Sequence, residues 1–226
     1  MTALVVAAHP DDEVLGCGGT ITRLAKAGED VRVLILGEGA TSRYPTRGAA
    51  GDAETKALGA MAEEASRLMG AREVAFGGLA DNRFDSVDLL DIVKIVESYL
   101  ERWSPAVVFS HHAGDLNNDH TLTHRAVLTA TRPTGHAQVG KLYAFEVPSA
   151  TESSFGAFAT PFRPTVFYDI TDTFALKLEA MNVYETEVRA FPHPRSAEAL
   201  AALATYRGVA VGVPKAEAFE LVREVV

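Results

Sequence analysis

Short apolar runs alternate with helical stretches along most of this chain, and that alternation limits the fold more than any other feature. Leu4–Ala8 reads as a first strand, followed by a helix from about Val14 to Ala27. Val31–Leu36 (Val-Arg-Val-Leu-Ile-Leu) reads as a second strand, apolar on both faces as a buried parallel strand requires. Gly37 to Gly51, with Arg43, Tyr44, Pro45 and Arg47, reads as a loop long enough to be functional. A helix from about Asp52 to Met69 ends at Gly70, a residue suited to the left-handed position after a helix. Glu73–Phe76 is a third strand.

Ser86 is a fair N-cap for the next helix, in which Leu89, Val93, Val96 and Leu100 share one face. Ala106–Ser110 is a strand, and a helix follows from about Asp119 to Thr131. Strands are expected at Leu142–Val147 and Val166–Ile170. Phe174, Leu178, Met181, Tyr184 and Val188 mark an amphipathic helix, and two further helices are expected near Ser196–Arg207 and Pro214–Val225. The β-α-β order predicts an α/β fold whose mostly parallel sheet carries helices on both faces. A length of 226 residues suits one such domain, spanning 1–226.

No apolar run approaches the roughly 18 residues of a membrane span. The first residues lack the basic start of a secretory signal. The lone Cys17 cannot form an internal disulfide and reads as a packed helix residue, so a reducing cytoplasm is the expected compartment. A net charge of −9 argues against non-specific nucleic-acid binding and leaves a small polar substrate open. A homo-oligomer is also left open.

In a parallel α/β sheet, ligands sit beyond the carboxyl ends of the strands. Two polar clusters fall there. His9-Pro10-Asp11-Asp12-Glu13 directly follows the first strand. Three carboxylates at a helix start are favourable in themselves, since anions are stabilised there by roughly 0.3–1 kcal/mol each. The adjacent imidazole makes the turn a half-site for zinc as well, with a second carboxylate free to take a proton from water. The second cluster, from Ser110 to His124, holds His111, His112, His120 and His124, four of the seven histidines. His120 is the leading ligand candidate because Asp119 and a helix start would fix its direction. His124, four residues on, competes with it. Position 121 is Thr, not the Glu that a zincin motif needs.

Gly16-Cys17-Gly18-Gly19 is a poor phosphate loop. It stands well behind the strand and three acids, and lacks the third glycine of the dinucleotide fingerprint. Trp103, Phe155 and Phe158 read as core or lid. Arg43 and Arg47 are candidates to clamp a phosphate or carboxylate on a substrate.

Ala8-His9-Pro10-Asp11-Asp12-Glu13, with Gly16 and Gly18-Gly19-Thr20, closely resembles the signature of the zinc-dependent de-N-acetylases, the PIG-L or LmbE-like family. The resemblance continues through Leu79-Ala80-Asp81-Asn82-Arg83 and the Asp-Leu-Asn-x-Asp-His run ending at His120. It extends to Phe191-Pro192-His193-Pro194-Arg195-Ser196, Arg207-Gly208 and Ala216-Glu217-Ala218-Phe219. It implies a Rossmann-like fold and hydrolysis of an N-acyl amide, usually N-acetyl, on an amino-sugar-containing small molecule. By position, His9, Asp12 and His120 match the family's zinc ligands, Asp11 its general base, and Asp81 a residue that binds sugar hydroxyls.

One position departs from the pattern. Many members carry His where this chain has Asn117, which can donate a hydrogen bond to an oxyanion but cannot act as an acid. The proton for the leaving amine then comes from Asp11 itself, or from His111, His112 or His193, with His193 favoured. Asp119 is either the orienting partner of an imidazole or the cap of its helix. The alternatives are hydrolysis of N-formyl groups, esters or non-sugar amides, and a non-catalytic metal- or sugar-binding protein.

Overall fold

The computed structural model describes residues 1–44, 51–135, 138–158 and 160–226. The elements in chain order are β1 (Thr2–Ala7), α1 (Asp12–Lys26), β2 (Asp30–Gly37), α2 (Gly51–Met69), β3 (Glu73–Leu79), α3 (Leu89–Trp103), β4 (Val107–His111), α4 (Asn118–Ala130), β5 (Lys141–Phe145), β6 (Val166–Asp169), α5 (Phe174–Val183), α6 (Ala197–Val209) and β7 (Ala216–Glu224). They build one seven-stranded sheet in the order β3-β2-β1-β4-β5-β7-β6. Strands β1 to β5 pair in parallel, while β7 runs antiparallel to both β5 and β6.

Side chains leave a strand to alternate faces, and β1 shows what that does here. Ala3, Val5 and Ala7 join a core with α1, α2, α5 and α6, whereas Leu4 and Val6, with Ala8 just past the strand, join a second core with α3 and α4. The sheet is therefore covered on both faces, as the alternation of apolar runs predicts. Strand order reverses between β1 and β4, and the crevice beyond their carboxyl ends is the expected ligand position in such a sheet.

Three expectations are corrected. The segment expected as a helix over Pro214–Val225 is strand β7. Its Ala-Glu-Ala-Phe-Glu run favours a helix locally, but ladders to β5 on one side and β6 on the other override that preference. Phe219, fully buried, is held there among Phe109, Tyr143 and Tyr168. The helix expected to continue to Val188 stops at Val183, where Tyr184 turns its hydroxyl onto Glu13. Ser86 ends a short 3-10 turn (Phe84–Ser86), and Asp88 is the residue that precedes α3. Trp103 and Cys17 are core residues, while Phe155 and Phe158 are 94% and 70% exposed. Among the described residues no helix is long and apolar enough to cross a membrane.

The glycines of α1 allow close packing and do not form a ligand loop. A Cβ at Gly16 would overlap the Phe145 ring, and one at Gly19 would lie 2.7 Å from the Ile170 side chain. The N–H groups of Gly19 and Thr20 donate to the buried carboxylate of Glu217, at 2.9 and 2.7 Å, and Lys177 Nζ donates to the same carboxylate. Gly16→Ala should therefore destabilise the fold by about 1–3 kcal/mol through overpacking. Urea unfolding followed by circular dichroism measures this, and an unchanged midpoint would show that Phe145 moves aside freely.

Candidate metal centre and active site

The turn between β1 and α1 is built around Asp11, which has φ 104° although it is not glycine. Such a backbone costs of order 1–3 kcal/mol and persists only where its surroundings hold it, commonly at functional sites. Here Asp11 N–H donates to Glu13 Oε2 at 3.0 Å, and Glu13 Oε1 accepts from Tyr184 Oη at 2.5 Å. Burial raises the Glu13 carboxyl to about 7 against the opposing hydrogen bond from Tyr184. His9 N–H donates to Asp12 Oδ2 at 2.9 Å. The turn thus presents His9, Asp11 and Asp12 at the end of β1, next to the end of β4.

His9, Asp12 and His120 converge there, with one donor atom each inside a 4.8 Å group. Asp12 Oδ2 lies 3.4 Å from His9 Nδ1 and 3.2 Å from His120 Nε2. The other nitrogen of each imidazole has its own carboxylate: His9 Nε2 meets Asp119 Oδ2 at 2.9 Å, and His120 Nδ1 meets Asp115 Oδ2 at 2.9 Å. All five side chains are buried. Burial opposes charge on His9, yet hydrogen bonds to Asp119 and Asp12 raise it to about 10. Burial likewise opposes charge on His120, and Asp12 and Asp115 raise it to about 9. Burial pushes the Asp12 carboxyl up, but His120, His111 and His9 hold it well below its usual range. The site therefore favours positive charge between these three residues. Two imidazoles and one carboxylate, with the imidazoles oriented by outer carboxylates, are a donor set that would fit a divalent metal such as zinc, beside the cavity.

Two other groupings satisfy the same distance condition: His111 with Asp115 and His120, and His9 with Asp81 and Asp119. In the first, His111 Nε2 already accepts Ala8 N–H at 2.8 Å, which consumes the lone pair a ligand needs. Burial also holds His111 well below 6.5, so it is a neutral core imidazole stacked on His120. In the second, the carboxylates face the nitrogen of His9 that points away from Asp12. His112 turns to Glu220 and the Thr160 carbonyl, and His124 Nδ1 lies 2.8 Å from the His111 carbonyl, so neither reaches the trio.

A cavity of about 450 Å³ opens beside the trio and is lined by His9, Asp11, Asp81, Asn117, His120 and Arg195 among others. Asp11 Oδ2 accepts from Arg195 Nη1 at 2.6 Å. Burial raises the Asp11 carboxyl well above its usual range, and Arg195 works against that rise. Asp81 Oδ2 accepts from Ser42 N and Oγ, and its Oδ1 lies 3.3 Å from His9 Nε2. Asn117 is the N-cap of α4: its Oδ1 accepts Asp119 N–H, while its Nδ2 donates to Asn82 Oδ1 at 3.1 Å. Asp119 is thus not the cap. Its second oxygen accepts Phe84 N–H at 3.0 Å, which locks the carboxylate onto His9.

His193 does not line the cavity. Its Nδ1 accepts Arg195 N–H at 3.1 Å, and burial together with Arg195 and Arg189 lowers its pKa. Arg43 ends the 3-10 turn Thr41–Arg43 beside Ser42, which lines the cavity, and Arg47 lies outside the described residues. Sequence reasoning missed Asp115, Arg195 and Glu187. Asp115 stood within the second cluster, five residues before His120. Arg195 stood in the Pro-His-Pro-Arg run, but its contact with Asp11 spans 184 positions and no spacing rule reaches that far.

A buried His/Asp/His trio at the switch point of a Rossmann-like sheet, with a further carboxylate, Asp11, at its side, is the arrangement of a metal-dependent hydrolase type of site. The chain belongs to the PIG-L family: residues 4–131 match its profile, described as GlcNAc-PI de-N-acetylase. It is 28% identical to the 1D-myo-inositol 2-acetamido-2-deoxy-alpha-D-glucopyranoside deacetylase of Mycobacterium sp. (strain JLS), across 97% of this chain and 82% of that protein. The crystal structure of the conserved protein TT1542 from Thermus thermophilus superposes with a TM-score of 0.76 at 28% identity, covering 99% of this chain and 96% of the other. The 4-carboxy-2-hydroxymuconate hydratase GalB of Pseudomonas putida KT2440 gives a TM-score of 0.72 at 25% identity, covering 100% and 97%. The same scaffold thus carries more than one chemistry, and activity has to be argued from the site.

Proposed function

We propose that this protein is a zinc-dependent hydrolase that removes an N-acyl group, of which acetyl is the best fit, from an amino-sugar-containing small molecule. The observation that carries the reading is the pairing of the ligand-capable trio with Asp11, a further buried acid on the turn that carries His9 and Asp12, with one carboxylate oxygen left to work on water. The mycobacterial relative, named as a deacetylase of an N-acetylated glucosaminide, supports the substrate class.

His9, Asp12 and His120 would hold the metal, with Asp119 and Asp115 fixing the two imidazoles. The metal supplies Lewis acidity, which polarises an acyl carbonyl and acidifies water. Asp11 accepts the proton from water as its oxygen bonds to the carbonyl carbon. When the C–N bond breaks, Asp11 returns that proton to the departing amine nitrogen, leaving the free amine and a carboxylic acid, which ionises to carboxylate by releasing its proton to the amine or to solvent. We assign this second transfer to Asp11 because His193 is turned onto the Arg195 backbone. Asn117 Nδ2 is the neutral donor available to the acyl oxygen, in exchange for Asn82. Asp81, held by Ser42, is the acceptor for a sugar hydroxyl. If Arg43 and Arg47 contribute, their part is to bind an anionic substituent of the substrate.

The test is a screen of zinc-loaded protein against N-acetyl and N-formyl amino sugars, N-acetyl amino acids and simple esters, read by release of amine or acid. Amine release from N-acetyl sugars above the other classes is the expected result. Turnover confined to esters or to non-sugar amides would overturn the substrate class, and a bound metal without any turnover would favour a binding protein. Hydration of an unsaturated acid would move the chain to the chemistry of the Pseudomonas relative.

A further inference from the structure

Asp11 is gripped by a device drawn from the far end of the chain. Arg195 Nη1 donates to Asp11 Oδ2 at 2.6 Å and also reaches Glu187 Oε2 at 3.3 Å. Arg195 Nε donates to Ser149 Oγ at 3.0 Å, and its backbone N–H donates to His193 Nδ1 at 3.1 Å. Three contacts, to Asp11, Ser149 and Glu187, therefore fix this half-buried guanidinium, and a fourth, to His193, fixes the backbone that carries it. Ser149 itself has φ 84°, a left-handed backbone, and its N–H is held by Glu152 Oε1 at 2.7 Å. Ser149, Glu187 and Arg195 all line the same cavity as the trio's imidazoles, and all lie beyond residues 4–131.

The consequence for Asp11 is geometric. A carboxylate has two oxygens, and at this one Arg195 occupies Oδ2. Among the described residues no hydrogen-bond donor meets Oδ1. Rotation about the side-chain bonds would exchange the two oxygens or swing both away, and the guanidinium opposes both motions. A charge-assisted contact of this length is among the stronger hydrogen bonds, and Arg is the cation whose planar fork can hold three acceptors in fixed directions.

We propose that Arg195 is the positioning residue for Asp11: clamped by Ser149, Glu187 and His193, it fixes Oδ2 and so presents Oδ1 to the cavity as the proton-transferring atom. His193 acts in this arrangement through the Arg195 backbone. The assignment rests on the reading of Asp11 as the base. It predicts that losing the clamp lowers kcat more than KM, because an oxygen displaced by about 1 Å can cost on the order of 100-fold in rate without altering substrate contacts.

The experiment measures Arg195→Ala, Arg195→Lys, Ser149→Ala and Asp11→Asn in parallel, on the best substrate of the screen, together with metal content and the crystal structure of Arg195→Ala. Arg195→Ala should bind metal normally, lose about 10- to 100-fold in kcat with KM within a few-fold, and regain part of that rate in millimolar guanidinium chloride. Its crystal structure should show the Asp11 carboxylate rotated or spread over two positions. Ser149→Ala, a milder change that keeps the ion pair, should lose a smaller share of kcat. Unchanged kcat in Arg195→Ala overturns the proposal, as does a loss that guanidinium does not restore with Asp11 still in place. A fully active Asp11→Asn overturns the base reading, and this assignment with it. An inactive Asp11→Asn beside a fully active Arg195→Ala removes only the clamp. Should Arg195→Ala fail to fold, the kcat of Ser149→Ala and Arg195→Lys decides, and wild-type values in both overturn the proposal.

Discussion

An Asp11→Asn enzyme should keep its metal and lose about 10²–10⁴-fold in kcat, the range expected when a positioned proton-transfer group is removed. The substitution is nearly isosteric. Arg195 Nη1 can still donate to the amide oxygen, so the wall of the cavity stays closed. What disappears is the ability to accept a proton from water. Stability should move the other way. Asp11 is 2% exposed, and burial raises its carboxyl well above the usual range even with Arg195 beside it, so an ionised group is held there at a cost. Asparagine removes that charge and adopts the left-handed backbone at φ 104° more readily than most residues. Asp11→Asn is therefore expected to melt at or above the wild-type temperature while being nearly inactive, the signature of a residue kept for function. Asp12→Asn should behave differently, since it removes a carboxylate from between the two imidazoles. Metal analysis, a melting curve and steady-state amine release on both variants check this. Equal metal loss in the two would show that both carboxylates are ligands and that neither is a dedicated base.

What could be read from the sequence follows the distance over which each constraint acts. His9, Asp11 and Asp12 sit on one turn, and their chemistry was legible because a strand, a proline and a helix start fix their directions locally. The choice between His120 and His124 was harder, because both lie on α4 and are separated by about one turn. The structure brings His120 to Asp12 and sends the His124 ring to the β4 backbone. Asp119 shows a different limit. It precedes His120 in sequence, yet its carboxylate serves His9, 110 positions away. Sequence adjacency could not say which imidazole Asp119 meets, and the partner of His120 is Asp115. In the fold, the parallel half was legible from its uniformly apolar strands. The C-terminal strand was not, since β7 owes its conformation to pairing with two strands formed by distant segments. Arg195 combines both difficulties, being a surface-type residue whose partner lies at the other end of the chain.

The largest expected effect belongs to the trio, and it couples metal, pH and stability. In metal-free protein His9 and His120 are raised to about 10 and about 9 from an ordinary value of 6.5. A group with a raised pKa in the folded state stabilises the fold fully below its unfolded pKa and loses that contribution as pH climbs through the folded one. The metal-free protein should thus be most stable from these two groups below about pH 6.5, and its melting temperature should fall between about pH 6.5 and pH 10. Zinc has the opposite dependence, because it binds only the deprotonated donor nitrogens and must displace those protons. The gain in stability on adding zinc should therefore grow as pH rises across the same window, reaching about 2.7 kcal/mol where free zinc is a hundredfold above its Kd. His120→Ala removes one of three donors, leaves Asp115 without its partner, and should weaken zinc by more than the 10–100-fold typical of an outer-shell change, with activity falling to background. His124→Ala should leave zinc and activity intact, because its ring lies against the His111 carbonyl. Thermal melts with and without chelator from pH 6 to 9.5, with zinc titrations of both variants, carry the test. Zinc retained in His120→Ala and lost in His124→Ala, or a stability gain from zinc that shrinks with rising pH, would mean that the cation is held elsewhere than between His9, Asp12 and His120.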